Sequence, residues 1–407
     1  MQNASSPDLG TCLTFRDSNK TSLFIIYFPR ELKYSVLMKK HTLITSMLLF
    51  LSAALLTAGG TQELETETAA PAEPARAVVI TDALGRTVEL PALPERIVQT
   101  GSSAFMVNDA LFLFPEAQER VAAMADGNQG RGKFLEIADP AFADKKILPR
   151  TINVEEIMAC RPDLVIMKDF LHKKYDETFQ RAGIPVVYLN LETPEAWQKD
   201  LETLGAVFGN PERARELQKQ FADYQSRVTD PLADLPESSR KKILILYYSQ
   251  KDGAGAFHVP PLTFIQTMMT EMAGGAPVWK DTEFGKRWTK VGFEQIAVWD
   301  PDQIFLISYR TPIPEVMGIL SGSPQWTQLR ALKTDQVHPF PMDFHSWDQP
   351  DPRWLLGLQW MASIIHPETF GDVDMNESAR IFFEEFYNVN QALFEEKIQP
   401  EIEGLPD

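Results

Sequence analysis

From residue 77 to about residue 395, short apolar runs alternate with stretches in which apolar residues recur every three or four positions. The short runs suit strands buried on both faces, and the wider spacing suits one face of a helix. Ala77–Ile80 and Thr87–Leu90 read as strands around a hairpin turn at Asp82–Arg86. Arg96–Thr100 is the next strand, and Gly101, Ser102 and Ser103 open a helix reaching Leu113. Strands at Leu164–Met167 and Pro185–Leu189 flank a helix near Tyr175–Ala182. Residues 194–228 differ. Leu201, Leu204, Phe208, Leu217, Phe221 and Tyr224 keep a helical spacing over a long polar segment, which Asn210-Pro211 interrupts or restarts. Lys242–Tyr248 then begins a second series, with a helix near Leu262–Ala273 and strands at Gln303–Ser308 and Gln336–Pro339. The closing helices are Trp354–Ile365 and Ala379–Phe394. Such alternation predicts an α/β fold with parallel-type sheets. The layout is a first lobe (77–193), a linking helix (194–230), a second lobe (241–395) and a tail (396–407).

One motif occurs in both lobes, 139 residues apart: Asn153-Val-Glu155-Glu-Ile157 leading to Pro162-Asp163, and Gly292-Phe-Glu294-Gln-Ile296 leading to Pro301-Asp302. An apolar run follows each Pro-Asp. The motif reads as a short helix, a turn and a buried strand, used twice. Two similar lobes facing each other enclose a cleft, which makes binding the first functional expectation.

The chain's start changes the compartment. Met38, Lys39 and Lys40 precede an apolar run of 14 residues, Leu43–Leu56, and then Thr57-Ala58-Gly59. That is the arrangement of a secretory signal peptide over 38–60, and the run is short of the roughly 20 residues of a membrane span. No cysteine follows it for a lipid anchor, which favours a soluble periplasmic product. Residues 1–37 read as an upstream extension and 61–76 as a flexible leader. Of the cysteines, Cys12 falls in the extension, so Cys160 stands alone in the exported part and reads as a buried apolar filler. Without residues 1–60 the chain has 33 basic and 53 acidic residues, a net charge of −20. That argues against nucleic acid as a partner, since phosphate binding needs basic patches.

The order of these elements resembles the substrate-binding proteins of ABC importers for iron-siderophore complexes, haem and cobalamin. The resemblance spans residues 78–395. It rests on Asp82–Arg86, Arg96–Val98, Asn153–Ile157 with Arg161–Val165, and Gly183–Val186 in the first lobe. In the second it rests on Ala273–Gly275, Phe293–Ile296 with Asp300–Asp302, and the Trp354–Ile365 helix. It implies two α/β lobes joined by one long α-helix with a ligand cleft between them, modest closure, and binding in place of catalysis. The implied partners are an ABC permease dimer with its ATPase, served by a monomer. It also implies that Glu155 and Glu294 contact permease arginines. By position alone, each carboxylate also complements a helix N-terminus, an effect worth about 0.3–1 kcal/mol.

Ligands in open α/β folds sit beyond the carboxyl ends of strands. That rule selects Ser102, Ser103, Phe105, Lys168, Asp169 and His172 in the first lobe, with Gln129 and Arg131 in a glycine-rich loop. In the second lobe it selects His258 in the Gly/Ala loop 253–257, Arg287, Trp288, Tyr309, Arg310, Phe344, His345 and Trp347. His172, His258 and His345 keep a direct metal site open, although no short His-x-His or Cys pair supports one. The arginines and aromatics instead suit an anionic chelate or a tetrapyrrole. A ferric siderophore is the expected cargo, with haem, cobalamin or a histidine-held metal as alternatives. An exported hydrolase is the rival class, but the sequence holds no Gly-x-Ser-x-Gly, Walker loop or His-Glu-x-x-His.

Overall fold

The computed structural model describes residues 77–251, 254–282 and 285–405. The upstream extension, signal peptide and leader expected over residues 1–76 lie outside the described residues.

The chain begins with an antiparallel hairpin of β1 (Val78–Thr81) and β2 (Thr87–Leu90). Asp82 closes its turn, accepting the N–H groups of Leu84 and Arg86 at 3.0 Å each and pairing with the Arg86 guanidinium at 2.8 Å. The first lobe is built on β3 (Ile97–Gln99), β4 (Val121–Ala125), β5 (Lys146–Leu148), β6 (Leu164–Lys168) and β7 (Val186–Leu189). These form an all-parallel sheet in the order β5-β4-β3-β6-β7. β3, β6 and β7 are buried throughout, which is why they read as unbroken apolar runs. Around the sheet run α1 (Ala104–Leu111), α2 (Val154–Ala159) and α3 (His172–Arg181).

The expected single linking helix is two helices, α4 (Pro194–Phe208) and α5 (Pro211–Thr229). Gly209 turns the chain with φ +68°, Asn210 caps the N–H of Arg213, and Pro211 occupies the first turn of α5. The two lie side by side, the side-chain amides of Gln198 and Gln218 each donating to the other's main-chain carbonyl. α4 stays with the first lobe, where the Thr203 hydroxyl donates to the Thr81 carbonyl at 2.9 Å. α5 makes the connection. At its start Arg213 donates to the Leu113 carbonyl of the first lobe. Further along, the Tyr224 hydroxyl donates to Glu385 of the second at 3.0 Å. Its 19 residues span about 28 Å.

The second lobe contains β8 (Lys242–Lys251), β9 (Ala254–Val259), α6 (Ile265–Met272), β10 (Ala276–Pro277), β11 (Thr289–Val291), α7 (Phe293–Trp299), β12 (Gln303–Ile307), α8 (Ile313–Ser321), β13 (Val337–Pro339), α9 (Trp354–Ile365) and α10 (Met375–Tyr387). Its sheet runs β11-β9-β8-β12-β13, with β10 also beside β8. It is mixed, not all parallel. β8, β12 and β13 are parallel, whereas β9 turns back along β8 and β11 along β9. The expected Gly/Ala loop is thus the strand β9. Glycine and alanine are poor strand formers, but the Tyr248 ring lies across Gly255, where an added Cβ would come within 2.8 Å of it. The covering aromatic supplies the packing that the small residues lack. The expected helix 379–394 also stops early, because Asn388 turns left-handed (φ +55°) at the end of α10.

The duplicated motif has a structural cause. Arg161 and Asp300, at matching positions, both adopt left-handed backbone (φ +50° and +44°) and end α2 and α7. The aspartate that follows then pins the neighbouring strand. Asp163 accepts the N–H groups of Glu95 and Arg96 at the start of β3, and Asp302 accepts that of Lys242 at the start of β8. Each aspartate also donates its own N–H to that same strand, at the carbonyls of Arg96 and Lys242. Pro-Asp therefore sets the register between a strand and its parallel neighbour, once in each lobe.

Candidate functional site

A cleft of about 1020 Å³ opens between the lobes. Its first-lobe wall is the loop following β4, turned by Gly130 and Gly132 in left-handed backbone (φ +100° and +94°), with Arg150 behind it. Its second-lobe wall is Tyr247 midway along β8, level with the end of β12, then the segment Ser308–Pro314 after β12, Met342 and Glu403. The walls thus sit at the carboxyl ends of parallel strands.

Four residues selected from the sequence meet here: Gln129, Arg131, Tyr309 and Arg310. The Gln129 amide pairs with that of Gln349 from the other lobe at 2.9 and 3.1 Å. Arg131 Nε donates to the Asp343 carbonyl at 3.0 Å, and its Nη2 lies 2.5 Å from Glu403 Oε1. Arg150 donates to the main-chain carbonyls of Asp126 and Asn128. Among the described residues neither Arg150 nor Arg310 has a carboxylate partner. The Tyr247 ring lies 4.8 Å from that of Tyr309 and 5.1 Å from that of Trp288. Burial pushes the Tyr247 phenol up, opposed by Arg310. The Tyr309 hydroxyl donates to Asp348 at 2.6 Å, and burial keeps this phenol well above its ordinary range. The cleft therefore presents neutral phenols and excess positive charge, although the chain as a whole is acidic.

Other expected ligand residues have different work. Ser102 and Ser103 form the turn into α1, with Ser103 left-handed. Lys168 is fully buried, its ammonium 2.7 Å from Glu192 and bonded to the Asn190 carbonyl. Asp169 accepts from the Asn190 side chain at 2.6 Å. His172 faces Asp176 at 3.4 Å and packs edge-on against Tyr188. His258 lies within β9, near Ser249 and the Tyr247 carbonyl, and Trp288 backs Tyr247. Arg287 is exposed ahead of β11. The sequence reading missed Arg150, Tyr247, Thr311 and Glu403. Arg150 follows a strand of only three residues, and Tyr247 sits in a run that reads as core.

The segment around His345 and Trp347, expected to touch cargo, is buried instead: Trp347 is 0 % exposed and His345 4 %. It forms an ionic lock between the lobes. Arg353, fully buried, reaches Asp109 of α1 through Nη1 at 2.5 Å and Asp343 through Nε at 2.8 and 2.9 Å. Its guanidinium lies over the Phe134 and Phe383 rings at 4.5 and 5.3 Å. His345 Nδ1 is 3.2 Å from Asp109 and 4.0 Å from Asp351, and Trp347 Nε1 donates to Asp343 at 3.0 Å. Phe344 packs on Phe134, and the Phe105 ring lies 4.6 Å from that of His345. The chamber beside Asp109 and His345 measures about 30 Å³, water-sized and far too small for a chelate. Burial would raise the Asp109 carboxyl, but Arg353 and His345 outweigh it and hold it below the usual range. Burial pushes Asp351 up to about 7, against the pull of Arg353.

Asp109, His345 and Asp351 also form the one group of three or more potential metal ligands among the described residues. Arg353 already takes the cation's place, 2.5 Å from Asp109 and 3.8 Å from Asp351. The geometry is that of a buried ion network, not of a three-histidine metal centre, since His172 and His258 have separate surroundings.

Two α/β lobes, one connecting helix and an inter-lobe cleft define a solute-binding protein. The family model described as "Periplasmic binding protein" matches residues 143–342, just under half of the chain, and the chain is a binding protein of the kind that serves ABC importers. It is 24% identical to the molybdate-binding protein MolA of Haemophilus influenzae over 77% of this chain and 91% of that one. It is also 24% identical to the iron-uptake system-binding protein of Bacillus subtilis (64% and 78%) and to the cobalamin-binding protein of Halobacterium salinarum (71% and 74%). The fold is shared with a periplasmic solute-binding protein of Veillonella parvula, at TM-score 0.64 and 24% identity over 79% of this chain and 97% of that one. It is shared too with MolA in its molybdate-bound form, at TM-score 0.63 and 22% identity over 77% and 98%. The chain is accordingly the solute-binding component of an ABC importer.

Proposed function

We propose that the cargo is an anionic metal chelate, a ferric siderophore foremost. One observation carries this reading: Arg131 and Arg150 from one lobe and Arg310 from the other face a single cleft beside Tyr247 and Tyr309. Arginines pair with carboxylates, catecholates and hydroxamates, and the phenol rings pack on the flat organic part. The volume of about 1020 Å³ stands at the upper end of ordinary small-molecule sites, roughly 300–1,000 Å³, and suits a whole chelate. A bare oxyanion is the second reading, supported by the similarity to a molybdate-binding protein. A thermal-shift panel of ferric siderophores, haem, cobalamin and molybdate separates them. A ferric siderophore is expected to give the largest shift, and stabilisation by cobalamin alone refutes the assignment.

The delivery face is proposed to centre on Glu155 and Glu294. Both are exposed in the first turns of α2 and α7, at matching positions of the repeat. Exposed Met158 and Val298 lie one turn further along. Basic residues of the permease would meet these acidic points. The double variant Glu155→Arg/Glu294→Arg is expected to bind cargo normally and to abolish uptake. Normal uptake by that variant removes this role.

A further inference from the structure

The cleft contains one carboxylate that no reading of the sequence placed there. Glu403 comes from the C-terminal segment, which lies against Pro341 and Met342. Glu403 and Met342 exchange both main-chain hydrogen bonds, at 3.0 and 2.8 Å. Gly404 follows with φ +86°, packed so closely that a Cβ would lie 3.1 Å from Pro341 Cα. The Glu403 backbone is therefore fixed. Its side chain is 61% exposed, and its carboxylate is held by Arg131 at 2.5 Å. Arg150 and Arg310, in the same cleft, meet no carboxylate among the described residues.

We propose that Glu403 is a built-in stand-in for one anionic group of the cargo, holding Arg131 in the empty cleft and yielding it when cargo arrives. This rests on the anionic-cargo reading and adds a specificity rule to it. An exposed carboxylate on a fixed backbone can swing into water at small cost, because exposed ion pairs are weak. A cargo with a well-placed anionic group displaces it, whereas a neutral solute leaves the Arg131–Glu403 pair intact and forgoes that contact. Glu403 thus raises the threshold of negative charge that a cargo must bring. It also screens Arg131 from simple small anions.

Glu403→Gln tests this, since it keeps the shape and the backbone bonds and removes the charge. Two readouts are taken. One is the rate at which phenylglyoxal modifies Arg131 in the cargo-free protein, followed by peptide mass spectrometry. The other is the affinity for ferric citrate and for molybdate by calorimetry. The proposal expects Arg131 to react severalfold faster in the variant, and anionic probes to bind two- to tenfold more tightly. Unchanged affinity for a probe that the wild type binds overturns it. If the wild type binds neither probe, those two anions are excluded as cargo, and Glu403 is judged on labelling alone. An Arg131 that reacts no faster in the variant then overturns the inference.

Discussion

Replacing Arg353 with methionine removes the centre of the ionic lock and leaves Asp109, Asp343 and Asp351 facing one another, all 1 % exposed or less. Methionine fills part of the volume between Phe134 and Phe383, so the loss is mainly electrostatic. Breaking a buried ion pair from one side costs about 3–5 kcal/mol, because a charge is left without compensation. Arg353 serves two buried carboxylates at 2.5 and 2.8 Å, which places this variant at the upper end of that range. Asp109→Asn is milder, about 2–3 kcal/mol, because Arg353 keeps its two bonds to Asp343. The pair spans the two lobes, so a double-mutant cycle isolates how strongly this contact couples them, expected at about 2–3 kcal/mol. Urea unfolding at pH 7.5 supplies the free energies. A loss under about 1 kcal/mol for Arg353→Met refutes the claim that the lock stabilises the lobe–lobe arrangement.

Two further expectations concern stability. Asp163→Ala and Asp302→Ala each strip an acceptor from solvent-accessible main-chain N–H groups at the start of a central strand, and each should cost about 0.5–1.5 kcal/mol in urea unfolding. Similar losses at the two sites would confirm that the repeat does the same job in each lobe, whereas a neutral variant at either would break the equivalence. For pH dependence, burial raises Asp348 to about 6 and Asp200 and Asp351 to about 7 in the folded protein. A carboxyl raised on folding favours the protonated native state, so its contribution is complete below about pH 4 and is lost as pH rises through 6 and 7. The thermal midpoint should therefore fall between pH 5 and 8, less steeply in Asp348→Asn. A midpoint that rises over this interval would contradict the account.

The lobes and most strands were legible because strands buried on both faces leave apolar runs that little else produces. β9 was not, because its strand character comes from Tyr248 lying over Gly255, a contact between residues on different strands. The break in the linking helix was visible at Asn210-Pro211, but its consequence, two helices lying side by side, depends on the close approach of Gly205 to Ala214. In the site, the glycine-rich loop pointed to Gln129 and Arg131 because a loop of that composition turns tightly and can face the cleft. The His345–Trp354 segment misled for a physical reason. A buried ion network and a ligand loop both need charged, aromatic and hydrogen-bonding residues close together, and composition alone does not tell them apart. The better clue was Asn108-Asp109, a polar pair within the otherwise apolar helix α1, both nearly fully buried. A buried carboxylate on an apolar helix requires a cationic partner, and Arg353 is that partner.

The most direct test of the cargo assignment is native mass spectrometry of the protein recovered with its ligand, beside an Arg150→Glu/Arg310→Glu variant. Both arginines are accessible in the cleft and lie outside the lock, so the variant should fold normally. The account predicts a mass increment matching an anionic metal chelate on the wild-type protein and its loss from the variant. A neutral corrinoid on the wild type, or an anionic chelate retained undiminished by the variant, would contradict it.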